Sequence, residues 1–93
     1  MTKLLELTPE FVDYVPEVLE LGVLYVSEKY KTAIHLCACG TCGWKTVTPF
    51  NQLMGWTYKR SVDNKVTLHP SIGNQQFPCK SHYWIQDNQV NWC

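Results

Sequence analysis

The chain has 93 residues, 45% of them hydrophobic, and a formal net charge of zero. That length allows one domain, here residues 1–93, which buries only about 60–65% of its unfolded surface. Zero net charge excludes a polycation built for nucleic acid.

In chain order, Thr8-Pro9-Glu10 predicts a helix start, with Thr8 as N-cap and Pro9 in the first position. Pro16 limits that helix to about two turns, and a second turn is expected over 16–21 with Gly22 as its stop. Residues 1–28 are acidic: Glu6, Glu10, Asp13, Glu17, Glu20 and Glu28 against Lys3. Residues 29–93 are basic, with Lys29, Lys31, Lys45, Lys59, Arg60, Lys65 and Lys80 against Asp63 and Asp87. Both sets read as solvated surface, or the acidic segment packs on a basic face.

From Gly22 onward the β-branched and aromatic content predicts short strands over 23–27, 32–37, 44–48, 56–60, 65–68, 83–85 and 90–92. Asp63-Asn64 and Asp87-Asn88 are hairpin turns between the last two pairs. Ser71-Ile72-Gly73-Asn74 reads as a turn, not a phosphate loop, and His69 before Pro70 as a surface or core-edge histidine. The expected fold is mostly β: a small antiparallel domain with at most one or two short N-terminal helical turns.

A core this small usually needs a staple, and five cysteines and three histidines could supply it. The longest uncharged run, Val66 to Cys79, carries His, Pro, Gly, Asn and Gln, short of the ~20 apolar residues of a membrane span. Lys3, Glu6 and Glu10 interrupt any secretory apolar region. The expected compartment is therefore the cytoplasm, where an odd set of cysteines reads as thiols or thiolates.

Cys39-Gly-Thr-Cys42-Gly43 has the spacing of a zinc knuckle, whose glycines let backbone amides approach the sulfurs. Cys79-Lys-Ser-His82 repeats the spacing with a nitrogen ligand, with 36 residues between Cys42 and Cys79. Together they compose a tetrahedral three-cysteine, one-histidine site for one Zn²⁺. Cys37 is the next candidate and could replace Cys39 or Cys42. His35, Cys37 and Cys93 leave room for a second metal, although Cys93 at the end of the sequence reads as solvent-exposed.

Trp44, Trp56, Trp84 and Trp92, with Tyr25, Tyr58 and Tyr83, read as core and metal shielding, Trp84 packing across its hairpin on Trp92. Trp56, Tyr58 and the Lys59-Arg60 edge are the expected contact surface for a protein partner. A zinc deaminase is excluded because His35-Leu36-Cys37 lacks the glutamate such sites use. A Cys79/His82 nucleophilic pair lacks an orienter and an oxyanion hole in the sequence. No enzymatic activity is expected on this reading.

His35-x-Cys37-x-Cys39-Gly40, Val47-Thr48-Pro49, Trp56, Pro70-Ser71-Ile72-Gly73-Asn74 and Cys79-x-Ser81-His82-Tyr83-Trp84-Ile85 occur in that order. This string resembles a family of short bacterial and phage proteins of unknown function. Relatives tend to read Cys-x-Cys-Gly-Cys-Gly, whereas Thr41 intervenes here before Cys42. The resemblance implies metal binding and, from genes encoded nearby, an accessory or adaptor role in a bacterial ubiquitin-like conjugation or phage–host defence system. Rival expectations are a phage-encoded inhibitor of a host enzyme, a nucleic-acid-binding zinc ribbon using the basic segment, and a thiol enzyme built on Cys79 and His82.

Overall fold

The computed structural model describes residues 3–50, 55–74 and 76–93. Among them lie eight strands: β1 (Thr8–Phe11), β2 (Val23–Ser27), β3 (Thr32–Leu36), β4 (Lys45–Pro49), β5 (Thr57–Arg60), β6 (Val66–Gly73), β7 (His82–Gln86) and β8 (Gln89–Trp92). They form two four-stranded sheets, ordered β1-β2-β3-β4 and β5-β6-β7-β8. The mostly β expectation holds. No described helix is long and apolar enough to cross a membrane.

The predicted N-terminal helical turns are absent. Thr8–Phe11 instead pairs parallel with β2, Thr8 opposite Val23. A helix here would have no apolar stripe to bury, whereas an edge strand satisfies its backbone on β2 and tolerates Pro9, which has no N–H to give. Gly22 still ends a turn, with φ 89°, but the turn leads into β2. The 12–21 segment covers the outer side of β2: Ser27 Oγ donates to the Asp13 carbonyl (2.9 Å) and the Glu20 amide to Tyr25 Oη (3.0 Å).

Alternation decides which side chains meet between the sheets. Leu24, Val26 and Ala33 come from one sheet, Val66, Leu68, Ile72, Tyr83, Ile85 and Val90 from the other, and Leu7 joins them. Each large apolar side chain buried there is worth about 1.5–3 kcal/mol. Two polar contacts cross the interior and its rim. His35 Nε2 and Tyr83 Oη meet at 2.7 Å in full burial. At the surface, Glu28 accepts from Tyr58 Oη (2.7 Å) and from Arg60 Nη1 (2.9 Å), and the Arg60 guanidinium lies 3.8 Å from the Phe11 ring centroid. Glu28 is thus where the acidic segment meets the basic one. Tyr58, expected at a contact surface, also stacks on Phe50 with ring centroids 4.4 Å apart.

The turn between β7 and β8 is Asp87-Asn88, both at positive φ (49° and 69°), as a two-residue hairpin requires. Trp84 does not pack on Trp92. Trp84 lies opposite Asn91 and Tyr83 opposite Trp92, so the pleat sends the two indoles to opposite faces. Trp92 packs on Tyr83 and Trp84 on His69.

The largest departure from the sequence reading is β6, which continues through the expected turn to Gly73. Leu68 pairs with Ile85 and Ile72 with Tyr83, so three residues of β6 face one of β7. A bulge of this kind re-aims side chains and is over-represented beside active sites.

Candidate functional site

The loop after β3 and the loop before β7 bring four sulfurs together. The Sγ atoms of Cys37, Cys39, Cys42 and Cys79 all lie within 4.8 Å of one another. Cys37 and Cys79 are 3.6 Å apart, and Cys79 and Cys42 3.8 Å. A disulfide would be about 2.05 Å, whereas four thiolates at about 2.3 Å around a tetrahedral ion sit about 3.8 Å from one another. The donor set therefore fits a metal ion.

Gly40 and Gly43, at φ 81° and 70°, let the knuckle turn back so that the amides of Thr41 and Cys42 point at Cys39 Sγ (3.5 and 3.3 Å). Burial raises the Cys39 thiol, but those amides outweigh it and bring it down to about 6. Cys42 is pushed up to about 12, by burial first and then by the sulfurs of Cys39, Cys37 and Cys79, against a lowering contact from the Trp44 amide. Thiols this close do not all ionise unaided; a divalent cation removes that restraint.

His82 is not among the clustered ligand atoms. Ser81 is buried and places its Oγ 3.0 Å from Cys37 Sγ. The next residue, His82, opens β7 facing the opposite way, and its exposed imidazole meets Ser71 Oγ at 2.7 Å through Nε2. The fourth sulfur beside those of Cys39, Cys42 and Cys79 is that of Cys37, fully buried just after β3. His35 faces the core and Cys93 is exposed; neither joins the cluster.

Ser71 and Gly73 share the outer face of β6, and His82 is the partner of Gly73. A Cβ on Gly73 would lie 4.0 Å from His82 Cδ2. With Cδ2 and Nε2 both turned toward β6, the Nδ1 edge of the ring faces away from it. Among the described residues no carboxylate lies within ion-pair distance of His82. For Nε2 to accept the Ser71 hydroxyl proton, the ring must carry its own proton on Nδ1. Beside His82 a groove of about 500 Å³ reaches the sulfur cluster, lined also by Lys3, Pro78, Lys80 and Trp92.

A serine hydroxyl 2.7 Å from an imidazole nitrogen on an open face makes the contact that a nucleophile–base pair requires. The fold and site thus define a small all-β protein with a four-cysteine cluster beside an outward-facing serine–histidine pair. The chain belongs to the family described as bacterial ubiquitination-like system serine protease (BubE), whose model matches residues 11–93. No match is found among curated proteins or among solved structures.

This family corrects the expectation of no enzymatic activity: its members are described as serine proteases. In the sequence His82 reads as a metal ligand or as a partner for Cys79, and Ser71 as part of a turn, so the pair is not visible there. The available signal was the outward alternation of Ser71 and Gly73 around inward Ile72, matched by outward His82 before inward Tyr83. The family also places the chain in a bacterial ubiquitin-like system, as the resemblance implied.

Proposed function

We propose that the chain is a serine protease in which Ser71 is the nucleophile and His82 the general base, acting on a ubiquitin-like protein. The observation that carries this reading is the 2.7 Å contact between Ser71 Oγ and His82 Nε2, in a chain whose family is described as a serine protease of a ubiquitination-like system. His82 takes the hydroxyl proton as Ser71 Oγ bonds to the scissile carbonyl carbon. The C–N bond, or C–O bond of an ester, then breaks, and the leaving group takes that proton from His82. Water, deprotonated by His82, releases the acyl group and restores Ser71.

Cys37, Cys39, Cys42 and Cys79 hold one Zn²⁺ in this reading, with a structural role. A closed set of four thiolates leaves no position for substrate, and its binding free energy, on the order of 10–16 kcal/mol, offsets the small core. The expected protein partner becomes the substrate, with the groove beside His82 receiving chain next to the scissile bond.

The test is cleavage of a ubiquitin-like protein with a C-terminal extension, followed by mass spectrometry of both fragments. Cleavage by the wild-type chain, lost in Ser71→Ala and His82→Ala while each variant retains one zinc, supports the reading. Undiminished cleavage in Ser71→Ala refutes it.

A further inference from the structure

Two buried polar residues stand between the sulfur cluster and the Ser71–His82 pair, and catalysis as written above uses neither. Asn74 follows Gly73, the partner of His82 across the ladder, and Ser81 precedes His82. Asn74 is 7% exposed and Ser81 6%. The Asn74 amide donates to the Ser81 carbonyl (2.8 Å), and Asn74 Nδ2 donates to Ser81 Oγ (2.9 Å). Ser81 Oγ in turn lies 3.0 Å from Cys37 Sγ and 3.5 Å from Cys79 Sγ. Thr46 Oγ1 reaches Asn74 Oδ1 at 3.4 Å, holding the amide from its other side.

An ion held by Cys37 and Cys79 fixes the sulfur end of this chain, because both sulfurs lie beside Ser81 Oγ. A metal-bound thiolate only accepts, so Ser81 must donate its single proton to Cys37 Sγ, and its oxygen is then free to accept from Asn74. Both bonds are polarised the same way and lock the end of β6 to the start of β7. With the ion gone, nothing holds the Cys37 and Cys79 sulfurs together, and Ser81 Oγ loses the fixed positions it bridges. One step beyond the lock, on the opposite face, are Gly73 and His82, which pair across the ladder, and His82 is the residue that meets Ser71.

Building on the serine-protease reading, we infer that Ser81 and Asn74 are positioning residues that couple the metal state of the cysteine cluster to the Ser71–His82 pair. Metal loss, or oxidation of the cluster by a thiol oxidant, loosens the β6–β7 register at this end and switches the pair off while the two sheets persist. Displacements near 1 Å at reacting groups cost about 100-fold in rate, so a loosened register is enough.

The test uses the full zinc-loaded chain with Ser81→Ala and Ser81→Thr, the second keeping the hydroxyl. Metal content is counted by native mass spectrometry. The ring-nitrogen chemical shifts of His82 report its tautomer and its bond to Ser71, independently of activity. The expected result is one zinc in both variants. In Ser81→Ala the His82 shifts move toward a tautomer mixture and kcat falls about 10- to 100-fold with KM unchanged; Ser81→Thr restores both. Chelation moves the His82 shifts of the wild-type chain in the same sense. Wild-type His82 shifts in a zinc-loaded Ser81→Ala chain overturn the coupling, as does a fall in kcat that merely tracks lost zinc. Ser71-independent cleavage by the wild-type chain counts against the protease reading alone, because the His82 shifts still decide the coupling.

Discussion

Replacing Tyr83 with Phe removes one oxygen and leaves the packing volume of the core almost unchanged. That oxygen is the partner of His35 Nε2 at 2.7 Å and also lies 3.4 Å from the Ala38 amide. His35 is fully buried, and its Nδ1 has no hydrogen-bond partner. The tautomer with its proton on Nε2, donating to Tyr83, is favoured because it leaves an unpaired lone pair at Nδ1 and not an unpaired N–H. In Tyr83→Phe both ring nitrogens are orphaned, at a cost of about 1–3 kcal/mol. For a domain of this size each kcal/mol moves Tm by about 4–8 °C, so a loss of about 2 kcal/mol lowers Tm by about 8–16 °C. The assay is thermal and urea unfolding at a fixed excess of zinc, which holds the contribution of metal binding constant. A double-mutant cycle sharpens it: His35→Leu with Tyr83→Phe removes both partners, and the double variant should be more stable than Tyr83→Phe alone. A Tyr83→Phe chain within about 0.5 kcal/mol of wild type refutes the reasoning, as does a double variant less stable than the single one.

Further outcomes follow from the same structure. Cys37→Ser and Cys79→Ser should each lose bound metal and unfold cooperatively at lower urea than wild type, whereas His82→Ala and Cys93→Ser should retain one zinc by native mass spectrometry. Arg60→Ala should cost about 1 kcal/mol or less in urea unfolding, because its bond to Glu28 lies at the surface. The Glu28 carboxyl is held below its ordinary 4.5 by the Tyr58 hydroxyl first, with burial opposing and Arg60 assisting. A lowered carboxylate contributes stability above its unfolded pKa and loses it as pH falls, so acidification below about 4.5 should destabilise wild type more than Glu28→Gln. Asn88→Ala should cost about 1–2 kcal/mol, measured in urea, since the side chain tolerates φ 69° and its Oδ1 accepts from the Val66 amide at 2.7 Å.

The strands from Val23 onward were legible because period-2 burial and turn residues are local signals. Val23–Ser27 has the bounds predicted for it, and Asp87-Asn88 is the predicted hairpin turn. Thr8-Pro9-Glu10 misled because a helix cap and an edge strand both suit those residues, and only pairing with β2 decides between them. The sulfur cluster was legible as a knuckle, but Cys79-x-x-His82 drew His82 into it. The pleat turns Ser81 toward Cys37 and His82 away, and that alternation depends on where β7 begins. The Ser71–His82 pair was hidden for a related reason: it exists only through the register of β6 on β7 and a bulge that no local pattern announces.

The most direct test of the account is to treat the zinc-loaded chain with a serine-directed fluorophosphonate and map the adduct by peptide mass spectrometry. The account predicts a single adduct on Ser71, formed at least 100-fold more slowly when His82 is replaced by Ala. An adduct on any other serine, or equal labelling of Ser71 without His82, contradicts it.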